Sequence, residues 1–299
     1  MNKIAIKILS LKSKNNFYSV DMVRLRVRVH SDDILKFFNP FGSNSDVEYY
    51  ETCQIKKYRH NWTFKNNDLI LKQINSFWMG YQHNMEQKSQ KYWLVIEYNP
   101  NKVDMLHGYL NTILKRFYQS YKEVQVVSVD LACDMPININ NLFCGKGTKH
   151  IKKLFDYGGD NKTIYIGEGP GRIKIYNKAR ELGLKDENKT RYEISIVFDN
   201  SGCIPQTVAL YEAFEVCSIE SLLVPIYVLE SYQFDMVING TDRGLVYAVL
   251  NGFPIEELPR DKKTKIKKIL SESASNTLDS NGFVNAFRLY FASFISVIA

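Results

Sequence analysis

The sequence lacks the features that mark disulfide-linked, zinc-binding or membrane-spanning proteins. Its 5 cysteines include no C-x-x-C pair and no finger spacing, and their odd number favours reduced thiols. No signal peptide is recognisable, so we expect a cytoplasmic protein. The longest apolar stretch, residues 283–299, is interrupted by Arg288 and is too short for a membrane span. It predicts a buried C-terminal helix, and we expect no membrane among the partners.

Solenoid repeats and low-complexity linkers are also absent. What the chain does have is a net charge of +7 and many aromatic residues, 19 Tyr and 17 Phe. This composition suits single-stranded nucleic acid, because bases stack on rings while phosphates contact Lys and Arg. Tyrosines that fill sheet faces explain the same numbers equally well, so composition alone leaves both interpretations open.

The spacing of apolar residues changes near Asn200. Upstream, short runs alternate with a period of two, which predicts strands, whereas the downstream spacing is helical. Turn-forming residues at 200–205 predict a boundary between the two parts. We therefore predict an α+β protein, with a mostly antiparallel sheet and flanking helices over residues 1–200. A helical C-terminal region is predicted over residues 201–299.

The first half contains two clear strand patterns and two helix patterns. Residues 22–30 alternate apolar positions with four cationic residues, which predicts a strand with one core face and one basic face: Arg24, Arg26, Arg28 and His30. Residues 91–98 predict a more fully buried strand. Helices are predicted near residues 67–78 and over residues 105–121, the second with one apolar side.

Four further strands are predicted between residues 126 and 197, each with one apolar face. If these apolar faces share one core, the opposite face collects acids, cations and tyrosines. Its members would be Asp130, Asp134, Thr163, Tyr165, Arg172, Lys174, Tyr176, Arg191, Glu193 and Ser195. A sheet face that is merely exposed to solvent does not need so many acidic, basic and phenolic side chains together.

The order and spacing of these residues resemble one protein family. The matching segments are Asp130-x-x-x-Asp134, Thr163-Ile-Tyr-Ile-Gly167, Arg172-Ile-Lys-Ile-Tyr-Asn-Lys178 with Glu181, and Arg191-Tyr-Glu193. They look like the rolling-circle replication initiators of small Gram-positive plasmids. Relaxases of some integrative conjugative elements and certain phage replication proteins belong to the same group. The resemblance covers about residues 124–198, and it depends on the combination because each motif alone is short.

The resemblance implies an enzyme that nicks and rejoins one DNA strand through a tyrosine, here Tyr176. Three cations in the same motif, Arg172, Lys174 and Lys178, are expected to lower the pKa of its phenol. The product would be a 5′-phosphotyrosine and a free 3′-hydroxyl that a polymerase can extend. In this interpretation residues 1–200 form the nicking and joining domain.

The resemblance also implies a carboxylate site for Mg²⁺ or Mn²⁺. Asp130 and Glu193 match its ligands, with Asp134 and Glu181 as further members. Such a metal would polarise the scissile phosphate. Related nickases hold their metal with a His-hydrophobe-His motif, but the five histidines here are scattered.

The expected partner is single-stranded or hairpin origin DNA, together with a host helicase and polymerase. Predicted DNA contacts are Arg24, Arg26, Arg28, Arg191, Lys262, Lys263 and Lys265. The three lysines belong to the run 260–268, which is otherwise typical of a solvated helix face. Residues 201–299 would bind the origin or form a homodimer.

Three other interpretations stay open at this point. The chain could nick a transfer origin as a conjugative or mobilisation relaxase, or bind an origin without cutting it. It could also be an unrelated protein in which Tyr176 only packs in a sheet and Lys178 pairs with Glu181 at a helix start. The run Gly167-Glu-Gly-Pro-Gly171 predicts a hairpin turn, since it lacks the Lys and helix of a phosphate loop.

Overall fold

The computed structural model describes most of the strands and helices of the chain. The described residues are 11–13, 16–30, 47–51, 58, 60–68, 73–82, 91–103, 107–121, 124–144, 151–156, 161–169, 171–184, 188–198, 208–209, 219, 222–224, 226–229, 239–250, 253, 255–276 and 278–298. The boundary predicted at residues 200–205 lies outside them.

Fifteen strands occur within these residues. They are β1 Leu11–Ser13, β2 Asn16–His30, β3 Val47–Glu51, β4 His60–Asp68, β5 Gln73–Gln82, β6 Lys91–Tyr98, β7 Val124–Met135, β8 Leu142–Cys144, β9 Ile151–Asp156, β10 Lys162–Ile166, β11 Arg172–Asn177, β12 Thr190–Val197, β13 Val208–Ala209, β14 Ile226–Leu229 and β15 Ala274–Asn276.

The α-helices of the described residues are α1 His107–Tyr121, α2 Lys178–Glu181, α3 Gly240–Leu250, α4 Arg260–Ser273 and α5 Ser280–Ile298. Short 3-10 turns occupy Pro100–Lys102, Ile139–Asn141 and Ile255–Glu257. None of these helices is long and apolar enough to cross a membrane.

Twelve strands form one sheet in the order β3-β4-β5-β6-β2-β7-β12-β11-β10-β9, with β1 on β2 and β13 on β7. Each pairing in this sheet is antiparallel. A second sheet joins β15, β14 and β8. The predicted α+β class with an antiparallel sheet is confirmed.

One face of the large sheet forms the core, and it is the face that the sequence alternation predicts. The alternate residues Val23, Leu25 and Val27 of β2 are almost fully buried, as are Ile173 and Ile175 of β11. They belong to a single apolar cluster. Each such side chain contributes about 2 kcal/mol when it leaves water, so this face holds the sheet against its helices.

The helices α1 and α5 supply the other half of this core. Buried residues of α1 and α5 lie in the same cluster as the strands: Leu110, Ile113, Leu114, Phe283, Phe287, Phe291 and Phe294. The buried C-terminal helix predicted from residues 283–299 is thus confirmed over the described residues. Residues 105–121 are helical as predicted, from His107 onward.

Polar contacts fix α5 against the sheet. The hydroxyls of Tyr98 and Tyr290 lie 2.5 Å apart, and the backbone N–H of Asp279 donates to the Tyr18 hydroxyl at 2.8 Å. Gly282 lies so close to Tyr18 that a Cβ there would come within 2.6 Å of the ring. Residues after 200 therefore share the core of the sheet through α5.

The helix predicted near residues 67–78 is wrong. Residues up to Asp68 belong to β4 and residues from Gln73 belong to β5, and the two strands pair antiparallel. Phe64 and Phe77 stack across this pair with ring centroids 4.2 Å apart. Cross-strand packing of this kind outweighs the local helical spacing, because a strand's side chains gain burial only once a neighbouring strand is present.

A smaller core joins α3 and α4. Val246, Leu258 and Ile266 are buried there, with four half-buried apolar neighbours. Asp242 at the start of α3 is buried beside two lysines of α4, with Lys265 at 2.6 Å and Lys262 at 3.6 Å. Helices therefore dominate residues 240–298, as predicted, although β13, β14 and β15 also lie after residue 200. The division into domains at residue 200 stays a prediction.

Candidate active site on the polar face of the sheet

The candidate site lies on the face of the sheet opposite the core, where β7, β12 and β11 run side by side. The β10–β11 hairpin sets its register, because Gly167, Gly169 and Gly171 all have φ between 63° and 72° and glycine alone adopts that conformation readily. Tyr176 thereby faces Arg191 on β12, and Arg191 faces Asp134 on β7. The hairpin predicted at residues 167–171 is confirmed.

Tyr176 is only 8% exposed, although it belongs to the polar face. Its hydroxyl donates to the Glu193 carboxylate with an O–O distance of 3.5 Å. The amine of Lys174 lies 4.0 Å from the centre of its ring, and that of Lys178 lies 5.8 Å away. The phenol is therefore held between a carboxylate and two cations.

The prediction that nearby cations lower the pKa of Tyr176 is wrong. Burial raises the pKa of this phenol, the nearby Glu193 carboxylate raises it further, and the positive charge of Arg191 offsets this only in part. The amines of Lys174 and Lys178, 4.0 Å and 5.8 Å from the ring centre, do not reverse this rise. A phenol with a raised pKa gives up its proton readily only to a base that lies beside it.

Glu193 has the properties of that base. Burial raises the pKa of its carboxyl, and the neighbouring Asp130 and Asp21 raise it further. A carboxylate with a raised pKa is a stronger proton acceptor than an exposed one. The charge of Glu181 also raises the pKa of Tyr176, but Lys178 holds the pKa of Glu181 below its usual range despite partial burial. Glu193 is thus the better base of the two.

Asp130 and Glu193 form a pair of half-buried carboxylates on adjacent strands. Glu193 lies two positions from Ser195, the residue opposite Asp130, so the two acids are diagonal neighbours. Burial raises the pKa of Asp130, and Asp21 and Glu97 raise it further, although a hydrogen bond from Ser195 opposes this. Like charges held this close favour the binding of a cation between them.

The donor set fits a divalent cation with two protein ligands. Mg²⁺ prefers oxygen ligands and is often bound by one or two carboxylates together with water and substrate phosphates, which Asp130 and Glu193 match. Within the described part of the chain, no group of three or more acidic, His or Cys side chains forms a ready-made metal site. An ion held by these two carboxylates would complete its coordination with water or with phosphates of a bound molecule.

Asp134 is engaged by arginine instead. Arg191 donates from Nε to Oδ1 at 2.5 Å and from Nη2 to Oδ2 at 2.9 Å, and its Nη1 donates to Asp21 at 2.8 Å. Although burial pushes the pKa of Asp134 upward, Arg191 and Lys189 outweigh it and the pKa is lowered. These contacts make Asp134 a partner of Arg191, and its role as a metal ligand stays a prediction.

The short helix α2 brings Lys178 and Glu181 back toward Tyr176. Asn177 ends β11 and caps this helix, because its side chain accepts a hydrogen bond from the N–H of Arg180 at 2.9 Å. The amine of Lys178, which is buried, lies 2.5 Å from Glu181. Glu181 is therefore paired within its own helix, and its membership of a metal site stays a prediction.

Arg172 lies on the same face of the sheet as Tyr176, but it is four residues earlier on β11 and therefore roughly 13 Å away. It is exposed, its guanidinium is 6.0 Å from the Tyr165 ring centre, and its charge acts on Asp130. Arg191 is 7% exposed and bound by two aspartates. Its contacts position the site, whereas its role in DNA binding stays a prediction.

The other predicted DNA-binding residues lie elsewhere. Arg24, Arg26 and Arg28 continue the polar face along β2, as the alternation predicts. Lys262 and Lys265 pair with Asp242 and so hold α4 to α3. Lys263 lines a different side of α4, a shallow cavity shared with Leu258, Arg260, Thr264 and Lys267.

Sequence reasoning missed Asp21 and Lys189. Asp21 is the extra residue of a β-bulge, since Val20 faces Leu131 while Met22 faces Asp130. The alternation of β2 slips there, with apolar residues at 18 and 20 and then at 23 and 25, and this slip was the available signal. Lys189 lies 3.4 Å from Asp134, and nothing in the local sequence marks it.

No family model matches the sequence, and no curated protein matches it. Among solved structures, the chain is similar to a rolling-circle replication initiator protein from Geobacillus stearothermophilus, with 12% sequence identity and a TM-score of 0.37. The similarity covers 95% of this chain and 98% of that protein. At this identity and TM-score, nothing about activity passes from that protein to this one.

Proposed function

We propose that the protein starts rolling-circle replication by nicking and rejoining a single DNA strand, with Tyr176 as the nucleophile. The observation that carries this proposal is the hydrogen bond from Tyr176 to Glu193, a carboxylate with a raised pKa, beside the acid Asp130. A buried tyrosine that only packs needs a hydrogen-bond partner but gains nothing from a cluster of acids. The motif resemblance set out above supports the same assignment.

In the proposed reaction the Tyr176 oxygen attacks the scissile phosphorus while Glu193 takes the phenolic proton. The new O–P bond forms as the bond from phosphorus to the 3′ oxygen breaks, and that oxygen takes up a proton from solvent water to become a 3′-hydroxyl. Lys174 and Lys178 lie close enough to the phenol to attract a phosphate toward it. The reverse reaction rejoins the strand, with protonated Glu193 returning its proton to the tyrosine.

Asp130 and Glu193 are the residues that would hold Mg²⁺ or Mn²⁺, and a bound ion would lower the pKa of Glu193 from its raised value in the metal-free protein. Such an ion would withdraw electron density from the phosphate and neutralise charge that develops on its oxygens. Arg191 has a supporting role, because its bonds to Asp21 and Asp134 tie β2, β7 and β12 together beneath the site. Rigid support of this kind keeps reacting groups within the narrow range that catalysis needs.

The experiment is an adduct assay. The protein is incubated with candidate origin oligonucleotides and Mn²⁺, and covalent complexes are detected as bands that survive SDS. We expect an adduct with the parent protein and none with Tyr176→Phe. Tyr165→Phe is the matched control. Tyr165 lies on the neighbouring strand β10, on the same face of the sheet as Tyr176, and its substitution should leave the adduct unchanged. An adduct of equal yield from Tyr176→Phe refutes the proposal.

Two alternatives use the same observations differently. A conjugative or mobilisation relaxase would form the same adduct, so the test is whether the preferred oligonucleotide comes from a replication or a transfer origin. A non-catalytic origin-binding protein would retain origin DNA and leave every strand intact. The raised pKa of Glu193 and its bond to Tyr176 favour the catalytic proposal over this one.

Duplex contacts are proposed for α4, whose Arg260, Lys263 and Lys267 share one side of the helix. Each DNA phosphate that a side chain of this helix neutralises should add about 0.9 to the steepness with which the logarithm of the binding constant falls against the logarithm of salt concentration. Exchange of the helical region between two such proteins should exchange their origin preference. The host helicase, the polymerase and a homodimer stay predictions.

A further inference from the structure

A second region of the polar face lies on β2 and β6, away from Tyr176. It consists of Arg26, Arg28 and Trp93, which we term the Arg–Trp cluster. Arg28 is exposed, and Arg26 and Trp93 are half-buried. The core side of the same strand carries Val27 and Val29 at 2% and 1% exposure, so these three side chains stand on a rigid backbone.

The two arginines share one indole ring. The guanidinium carbons of Arg26 and Arg28 lie 4.3 Å and 4.9 Å from the centre of the Trp93 ring. Arg28 and Trp93 are direct cross-strand partners. Arg26 also donates from Nε to the side-chain oxygen of Gln125 at 3.0 Å. The Trp93 indole orients Arg28 without neutralising its charge, in contrast to the two aspartates that bind Arg191.

Two guanidinium groups beside an indole favour a ligand that carries both phosphates and aromatic bases. Guanidinium groups bind phosphate oxygens in a bidentate manner, and exposed indole and guanidinium planes stack on nucleobases. In a duplex the base faces are already stacked on each other, so only an unpaired strand offers both phosphates and free base faces to the cluster.

We propose that the Arg–Trp cluster is a binding subsite for single-stranded DNA, separate from the nicking site. It holds nucleotides of the substrate strand by stacking on Trp93 and by phosphate contacts to Arg26 and Arg28. The proposal rests on the proposed function only for the identity of the strand, because the binding chemistry of the cluster does not depend on Tyr176.

The position of the cluster fits a strand that continues to the nicking site. Met22 on β2 faces Asp130, and Arg28 is six residues further along β2, which is roughly 20 Å. Both sites lie on one face of one sheet, so a strand can run between them without crossing a sheet edge. Arg24, which donates to the Tyr58 hydroxyl at 3.2 Å, lies on this path. Several nucleotides would separate the stacked base from the nick.

The test uses the intrinsic fluorescence of tryptophan. Trp62 and Trp78 are only 6% and 8% exposed, so quenching by a bound base reports mainly on Trp93. Tyr176→Phe protein without divalent ions is titrated with a 20-nucleotide oligothymidine, which removes any contribution from cleavage. We expect saturable quenching, which Trp93→Phe abolishes while binding, followed by anisotropy of a labelled oligonucleotide, persists.

Matched variants separate stacking from charge. Trp93→Leu should weaken binding roughly 5- to 100-fold, the range for loss of one stacked base, and Trp93→Phe should weaken it less. Arg28→Gln should lower the salt slope by about 0.7. Arg288→Gln removes an equal charge from an exposed site on α5, which packs on the core face, and should change neither value. Thermal melts check that each variant is folded.

Three results would overturn the proposal. The first is an unquenched titration, and the second is an Arg28→Gln affinity and salt slope equal to those of Arg288→Gln. The third is equal affinity for a 20-base-pair duplex, or a preference of more than tenfold for oligouridine, which would point to duplex or RNA binding. If quenching is observed but the parent protein forms no adduct, the subsite stands and the nickase proposal fails. If the adduct forms without quenching, the nickase proposal stands and the subsite fails.

Discussion

The region around Tyr176 and the Arg–Trp cluster lie on the same face of one sheet, yet they use arginine in different ways. Around Tyr176, Arg191 is buried and bound by two aspartates, so its charge is neutralised inside the protein. In the Arg–Trp cluster, Arg28 is exposed and lies over an indole. The first arrangement supports precise chemistry, and the second suits reversible binding of a polyanion.

Burial explains the difference. A buried guanidinium must be paired, since an uncompensated charge away from water is very costly. Once paired it holds strands and neighbouring acids in fixed positions. An exposed guanidinium keeps its hydration, loses little by being unpaired, and remains available to a phosphate. The same residue type is therefore a positioning group at one end of the face and a binding group at the other.

The largest effect is expected from the proposed base. Glu193→Gln should slow adduct formation by roughly 10²- to 10⁴-fold, because general-base catalysis contributes about that much. The adduct rate of the parent protein should rise with pH through the pKa of Glu193, since only the ionised carboxylate accepts a proton; this pKa is raised in the metal-free protein, and bound Mn²⁺ would lower it. Single-turnover gel assays across pH measure both.

Glu181→Gln is the control for that prediction. Glu181 also contacts Tyr176 but has a lowered pKa, so its loss should change the rate by less than about tenfold. If Glu181→Gln is the slower variant, the assignment of the base is reversed.

The two arginines should differ sharply in stability. Arg191→Gln leaves Asp21 and Asp134 without their main partner and should lower the free energy of unfolding by about 3 kcal/mol. Arg28→Gln should change it by less than about 0.5 kcal/mol, because Arg28 is exposed. Urea denaturation followed by circular dichroism measures both. Similar losses in the two variants would remove the distinction drawn between the two regions.

The Asp134–Arg191 pair predicts a pH dependence. The pKa of Asp134 is lowered in the folded protein, so its contribution is complete above the ordinary Asp pKa of about 4 and is lost as pH falls below it. Asp134→Asn should therefore cost about 3 kcal/mol at neutral pH and progressively less in acid. A cost that is constant from pH 7 to pH 3 would show that the carboxylate charge is not responsible.

The contribution of Asp130 to stability should change with pH in the opposite direction to that of Asp134. Its pKa is raised by burial and by neighbouring acids, so the ionised carboxylate costs stability at neutral pH, and the cost disappears as pH falls through its raised pKa. Asp130→Asn should raise the Tm at neutral pH by roughly 2 °C while impairing adduct formation. A lower Tm at neutral pH would contradict this interpretation of the carboxylate pair.

Much of this arrangement could be predicted from alternation alone. The runs around Val27, Ile175 and Ile194 repeat every two residues, and a strand has only two faces, so the core side and the polar side follow directly. Tyr176 and Glu193 could be assigned to one face for this reason. The prediction of a helix near residues 67–78 failed because the burial of a strand depends on a neighbouring strand, which the spacing within one segment does not show.

The sequence by itself determined six of the strands (β2, β6, β7, β10, β11 and β12), which of their faces is apolar, and the residue types gathered around Tyr176. Only the tertiary structure decided how those residues pair. Register set Arg191 against Asp134, a bulge added Asp21, and burial raised rather than lowered the pKa of Tyr176. These outcomes depend on distances between strands far apart in the chain, and local periodicity carries no information about such distances.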